Sequence, residues 1–549
     1  TQRFTKYLLE KEKGMIFKMK IDLLIKNAKI IDGTSNPWYY GGIAIKEDKI
    51  VEIIKNDDPE KLKDYDALQE IDAQNKFLTP GFIDVHSHSD FVFFLDSDAQ
   101  SKLRQGVTTE VIGNCGISGA PYNEFSADQV KSFTYGFEAE WESTEEFSTD
   151  LAEVDKTVNL TPLLGHGTLR AYVMGMENRE ATAAELDKMK EILAQALDLG
   201  YRGMSTGLYF SPGNFAAKSE LVALAEVIGA KNGVLTSHIR DEGVKSIGFI
   251  NAVKEIIEIA EKAEVSLEIS HLKAFGPDVW GSSKEVLELI EKARKRGLDV
   301  TADQYPYLAT GGLMASDVLP NEFLSNKSNQ QAMEELKQES TRTELREIVA
   351  LNIQRRGGAE NQIIANYPAN HQLEGLTLKE IANNWDLEPV DALFEMLTEY
   401  LAGDWISRAL SEEDVVNIMQ YYGTMVSSDG VSLSNTGVLS AGNPHPRNYG
   451  SYTEVLSKYV RDKEVINLEE AVRKMTSLPA QKFNLENRGI IDLNKIADLV
   501  IFDLDKIKTA DFSQPAIYPE GIFAVIVNGE VAVLNGKYQE IRAGKLILS

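Results

Sequence analysis

Two patterns divide the chain. From about residue 20 to 75, DLLIKNAKIIDG, GGIAIKEDKIVEI and ALQEIDAQNKFL alternate apolar with polar positions and are rich in β-branched residues. Period-two alternation places the apolar side chains on one face, and Gly, Asn-Lys and Asp-Lys breaks predict short strands joined by tight turns. The far end has the same character in ADLVIFDLD, GIFAVIVNGEVAVLNG and KLILS, with Asn528-Gly529 as a hairpin signal. Strand-rich ends around a different middle predict that residues 20–76 and 480–549 pair into one small β-sandwich.

The middle alternates short apolar runs with helical ones. Eight runs read as strands: FIDVHSH, TTEVIGNCG, NLTPLLGHG, GMSTGLY, VLTSHIR, SLEISHLK, DVTADQYPY and TMVSSDG. Between the fifth and sixth, SIGFINAVKEIIEIAEKAE carries apolar residues at helical spacing. Between the sixth and seventh, SSKEVLELIEKARKRG ends in a basic turn and Gly297, a helix stop. His238, His271 and Tyr305 recur about one βα unit apart. Eight such units predict an α/β fold, a (β/α)8 TIM-type barrel over residues 77–479. Between Tyr305 and Asp429 lies more chain than one helix needs, including the helical patterns QQAMEELKQESTRTELREIVALNIQ and VDALFEMLTEYL. This predicts an insertion around 315–415, either a lid over the C-terminal face of the barrel or a surface ornament.

Size and charge narrow the function classes. A chain of 549 residues suits a large barrel plus a smaller domain. The net charge of −27 disfavours nucleic acid and anionic membranes as partners. A single cysteine excludes an intramolecular disulfide and fits a cytoplasmic location, with export left open. No apolar run approaches the ~20 residues that span a bilayer. The opening stretch TQRFTKYLLEKEKG lacks the apolar segment of a signal peptide, and Met15 or Met19 would serve as a natural start.

Candidate chemistry sits at the strand ends, which share one face of the predicted barrel. His86 and His88 are two apart and point the same way along a strand, as a pair of imidazoles for one ion would. His238 ends strand five, His271 strand six, Cys115 strand two and Asp429 strand eight. Singly, each has a bland reading: a satisfied histidine, a small buried cysteine, a turn aspartate. Jointly, four of only seven histidines, one thiol and one carboxylate at one barrel face point to a metal site.

Beyond those residues, PGFIDVHSHSD, the later histidines and the strand-eight aspartate resemble the amidohydrolase superfamily. GVTTEVIGNCGIS, LLGHGTLR, SHIRDEG, ISHLK, SSDG and NPHPRNYGSY resemble its N-acyl-D-amino-acid deacylase (D-aminoacylase) branch, as does MTSLPAQKFNLENRGII followed by IADLVIFD. The likeness spans roughly residues 20–535. Many superfamily members bridge two metals with a strand-four lysine, which GMSTGLYFSPG lacks; this branch uses a strand-two cysteine, matched by Cys115. The resemblance implies zinc held tightly by Cys115, His238 and His271, with a second, weaker or vacant site at His86, His88 and Asp429. It implies hydrolysis of N-acyl-D-amino acids by a metal-activated water, with Asp429 as the proton shuttle. It also implies a small-molecule substrate whose free carboxylate meets Lys273, Tyr305 and Arg447. The family serine after that tyrosine is absent from LATGG, where Thr310 or the Gly311 amide would stand in. His166 is open between pocket and structure, His445 reads as structural or supporting, and His371 as surface. The DEG after His238 either orients that ligand or is a charged loop. The alternatives are a cyclic-amide hydrolase of the dihydropyrimidinase or dihydroorotase type, or a metal-free barrel used for assembly.

Overall fold

All eight predicted barrel strands form, and their residues are buried almost throughout, as parallel strands covered on both faces must be. The computed structural model describes residues 18–126, 134–325 and 327–548; TQRFTKYLLEKEKG and Met15 lie outside them. In order, the strands are Phe82–Asp84, Val107–Ile112, Asn159–Pro162 continued by Leu164–Gly165, Gly203–Gly207, Val234–His238, Ser266–Ile269, Val300–Gln304 and Thr424–Val426. Each pairs in parallel with the next. A parallel bridge between Ser87 and Gly430 joins the last to the first. His88 donates its backbone N–H to the Gly430 carbonyl at 2.9 Å, and Asp429 donates its own to the His86 carbonyl at 2.9 Å.

The helices between strands follow from their sequence signals. Thr182 and Glu185 form a reciprocal capping box at the start of Ala183–Leu199, and left-handed Gly200 ends it. Helix Phe249–Ala263 buries Ala252, Val253, Ile256, Ile259 and Ala260 on one stripe. Helix Ser283–Lys295 stops as expected before Gly297, at φ +103°.

Strands from both chain ends share a single nine-stranded sheet. The join is Phe77–Pro80, parallel to the end of Met19–Ile30 and antiparallel to Leu499–Phe502. Ile25, Ile43, Leu78, Leu499, Ile501 and Ile526 fill one common core. Asn528 and Gly529 make the expected two-residue hairpin, both at positive φ. Of KLILS, the described residues 545–548 do not join this sheet. Leu546 bridges Leu160 in the third barrel strand, so the final residues pack against the barrel itself.

The insertion begins ahead of residue 315. Thr310–Leu313, Gln362–Asn366 and Asp404–Ser407 form a small antiparallel sheet with Asp404–Ser407 in the middle. TGGL carries no strand signature, so only its partner's register makes it one. The first helical pattern splits into Asn329–Leu336 and Glu339–Arg355; the second forms Pro389–Glu399. Met314, Leu336, Ile364, Tyr367, Leu393 and Trp405 belong to a core separate from that of the barrel. No helix among the described residues is long and apolar enough to cross a membrane.

Candidate metal centre and its cavity

The six predicted metal-site residues converge at or just beyond the C-terminal ends of their strands. Only His238 lies within a strand; His86 and His88 follow Asp84, Cys115 follows Ile112, His271 follows Ile269 and Asp429 follows Val426. Period-two alternation is therefore not what aims the two strand-one histidines. Instead both rings face one oxygen: Asp429 Oδ1 lies 3.6 Å from His86 Nε2 and 3.4 Å from His88 Nε2. Cys115, His271 and Asp429 adopt φ of +52°, +34° and +48°. L residues enter this region at a cost, and such strain gathers where function demands a particular aim.

Cys115 is the shared corner. Its Sγ is 3.3 Å from His86 Nε2, 3.3 Å from His271 Nε2 and 3.5 Å from His238 Nδ1. His86, Cys115, His271 and Asp429 each offer one ligand atom, all within 4.8 Å of one another. Zinc bonds of about 2.0–2.3 Å give tetrahedral ligand–ligand edges of about 3.3–3.8 Å. The donor spacing and the thiolate–imidazole–carboxylate chemistry both fit such an ion. Burial would push the Cys115 thiol up, but the imidazoles of His86, His271 and His238 outweigh it and hold the thiol well below its usual range. Burial likewise opposes ionisation of Asp429, and Arg447 with the neighbouring imidazoles reverses it, holding the carboxyl well below its usual range.

Strand four ends in Gly207 because the loop bearing Cys115 packs flat across it. An added Cβ there would collide with the Cys115 carbonyl, so this position has no room for a lysine or any other side chain.

A layer of polar groups orients the donors. Glu242 resolves the DEG ambiguity: Oε1 lies 3.0 Å from His271 Nδ1, and Oε2 lies 3.8 Å from His238 Nε2. Burial opposes its charge, but Lys273, His238 and His271 lower the carboxyl to about 2. A carboxylate behind an imidazole fixes the tautomer and ring angle of a metal ligand. Asp303 was not singled out from the sequence. It accepts the His271 backbone N–H at 3.0 Å and faces His86 Nδ1 at 3.5 Å. Its signal was available: Asp303 precedes Tyr305 by two on strand seven, hence points inward with it.

The predicted carboxylate-binding residues lie beside this centre but are not idle. Lys273 Nζ donates to Glu242 Oε1 at 2.6 Å and to the His271 carbonyl at 3.0 Å. Arg447 Nη1 donates to Asp429 Oδ2 at 2.7 Å. Tyr305 is buried between them, its ring 5.6 Å from Lys273 Nζ and 5.3 Å from the Arg447 guanidinium, and its hydroxyl has no hydrogen-bond partner among the described residues. Thr310 and Gly311 line the adjoining cavity. His445 is structural: Nδ1 accepts the Arg447 backbone N–H at 3.0 Å, setting the turn that presents Arg447. His166 is buried, its Nε2 2.9 Å from Glu220 Oε1. His371 is exposed and paired with Glu374.

His88, Cys115, His238, His271 and Asp429 open onto a cavity of about 630 Å³. The insertion supplies one wall through residues such as Leu313, Ser316 and Trp405.

Residues 69–388 and 439–533 match the amidohydrolase family. An N-acyl-D-glutamate deacylase of Alcaligenes xylosoxydans xylosoxydans is 32% identical over 512 residues, 93% of each chain. The chain belongs to the N-acyl-D-amino-acid deacylase family of amidohydrolases. A D-aminoacylase from the same organism is 30% identical and aligns over 96% of this chain and 97% of its own. The crystal structure of N-acyl-D-glutamate deacylase from Bordetella bronchiseptica, with zinc and a phosphonate mimic of the tetrahedral intermediate, superposes with a TM-score of 0.82. It is 30% identical and covers 97% of this chain and 100% of its own. As a member of this deacylase family the chain is a metal-dependent enzyme that cleaves amide bonds. Its barrel with an attached β domain is the fold of the family.

Proposed function

We propose that this enzyme hydrolyses N-acyl-D-amino acids to a carboxylic acid and a D-amino acid, with zinc as its metal. The tight position would be Cys115, His238 and His271, and a weaker one His86, His88 and Asp429 against the same thiolate. The observation that carries the reading is the Cys115 sulfur, set within 3.5 Å of three imidazoles. The names of its relatives support the D-amino-acid substrate. Zinc, when bound, makes water acidic enough to attack at neutral pH and polarises the scissile carbonyl.

The remaining steps fall to the chain. Asp429, ionised and anchored by Arg447, takes the proton of the attacking water and delivers it to the leaving amine. Glu242 keeps His238 and His271 in their aim. Arg447, Tyr305 and Lys273 face the substrate's α-carboxylate, with the unpartnered Tyr305 hydroxyl as a ready donor. Residues 315–415 act as the lid of the cavity within a barrel unit spanning 77–479. Fixing the carboxylate and the carbonyl pins two substituents of the α-carbon, so one hand must be preferred; the relatives indicate D.

A panel of N-acetyl-D- and N-acetyl-L-amino acids, assayed with metal analysis of the purified enzyme, tests this reading. D-substrates should be cleaved well ahead of L, with zinc co-purifying. Faster cleavage of L-substrates would overturn the branch-specific reading. The clamp has its own test. Arg447→Ala should lower kcat/KM for free acids by ~10–100-fold, the scale of a lost charged hydrogen bond. Substrates amidated at the carboxylate should lose less, because only the anchoring of Asp429 is affected. An unchanged ratio of acid to amide turnover would remove Arg447 from the clamp.

A further inference from the structure

Strand four supplies no ligand, yet one of its side chains acts on the metal centre at one remove. Ser205 lies two residues before Gly207 in Gly203–Gly207, so both face the loop that bears Cys115. Ser205 is fully buried. Its hydroxyl accepts the Gly116 backbone N–H at 2.9 Å and donates to the Gly113 carbonyl at 2.5 Å. A serine hydroxyl has a single proton to give, and this one is given to the loop. The two bonds straddle Asn114 and Cys115.

The loop has reason to be held. Gly113, Cys115 and Gly116 take φ of +80°, +52° and +75°. Of the three, only the cysteine carries a Cβ into this region, where it is disfavoured. The turn bond from the Ile117 N–H to the Asn114 carbonyl, at 2.9 Å, sets the shape of the loop but not its place over the barrel. The other side is tied to the helix after strand three, His166–Met174. Thr168 donates its backbone N–H to the Gly116 carbonyl at 3.0 Å, and its Oγ1 accepts the Ser118 N–H at 3.1 Å. Asp90 Oδ2 accepts the Gly113 N–H at 3.3 Å. All four backbone polar groups of the two glycines are thus paired, two of them by the Ser205 hydroxyl. The segment LLGHGTLR, which the reaction above does not use, gains a purpose from this contact.

We propose that Ser205 is a positioning residue for the bound metal: by stapling Gly113 to Gly116, with Thr168 bracing the far side, it fixes the Cys115 thiolate at the corner shared by three imidazoles. Strand four then serves the centre through a hydroxyl and a bare glycine, without donating to the ion itself. The inference rests on the metal-site reading above.

The test compares the wild type with Ser205→Ala, Ser205→Thr and Thr206→Val by two readouts besides turnover. One is zinc affinity, from competition with a chelator. The other is the thiolate-to-metal charge-transfer band of the cobalt(II)-substituted protein, which reports the Cys115–metal bond directly. Ser205→Ala should weaken zinc by ~10–100-fold, the range for a lost support behind a ligand, and diminish the band. Ser205→Thr keeps the hydroxyl and should stay nearer the wild type on both counts. Thr206 is the control: it points to the other face of the strand, where its Oγ1 donates to Ser237 Oγ at 2.8 Å. Thr206→Val should leave zinc affinity and the band as they are, whatever it does to the melting of the metal-free protein. Wild-type affinity and band in Ser205→Ala overturn the proposal, as does an equal loss in Thr206→Val, which would mark a general loosening of the strand. If Ser205→Ala does not fold, Thr168→Val takes its place: it removes the acceptor of the Ser118 N–H, and unchanged zinc affinity and band would overturn the proposal. A wild-type cobalt protein with no such band would instead take Cys115 out of the metal site, and this role with it.

Discussion

Asp429→Asn should reduce turnover by ~10²–10⁴-fold, the range for lost general acid–base catalysis, while the tight metal stays bound. The substitution is nearly isosteric. Asparagine tolerates the left-handed backbone at φ +48°, and its amide oxygen can still accept from Arg447, so the loop should keep its shape. What disappears is a group able to take a proton and return it. His86 and His88 would lose the anion that both rings face, so any weakly held second ion should leave as well. Single-turnover kinetics and metal analysis on one preparation check this. A modest rate loss together with loss of all zinc would make Asp429 a ligand of the tight site rather than the proton shuttle.

Cys115→Ala should strip most of the bound metal and, with it, nearly all activity. The thiolate is the only one in the chain and the one atom common to His86, His238 and His271. Alanine removes the one anion that all three buried imidazoles share, leaving the Asp429 carboxylate beside His86. A thermal melt separates loss of metal from loss of fold, because the loop is also held by Asn114, whose side chain donates to the Val111 carbonyl at 2.9 Å. Full zinc occupancy with wild-type turnover would place Cys115 outside the site.

Much of this is legible in the sequence. The eight barrel strands stand out because each is a short apolar run, buried on both faces, that ends in a polar residue. That ending is the signature of a barrel whose chemistry gathers at one rim. Cys115, His238, His271 and Asp429 were visible for that reason. The commitments of the polar side chains were not. Lys273 reads as a free cation two residues past a ligand, but the chain has left the strand there, and its ammonium turns back to Glu242. The reach of Glu242 to the His271 ring and of Asp303 to the His86 ring spans residues far apart in sequence, which no local pattern encodes; only the Glu242–His238 contact is local. The strands of the insertion are not legible because TGGL and DWIS are too short to show a period. KLILS reads as a strand and was assigned to the wrong neighbour, since alternation gives a face but not a partner.

The tail's place against the barrel bears on how the protein comes to exist. Thr161 Oγ1 donates to the carbonyl of Ile547, a residue 386 positions later, and Leu160 pairs with Leu546 beside it. The strand Phe77–Pro80 likewise waits for Leu499–Phe502. During synthesis the early barrel strands leave the ribosome long before these partners exist. Their last neighbours arrive only after Gly430, whose bridge to Ser87 closes the ring, so these contacts complete the fold late. Contacts this distant in sequence make folding slow and expose apolar edges in the interval. The half-made barrel, more than the finished enzyme, is where this chain is exposed to aggregation.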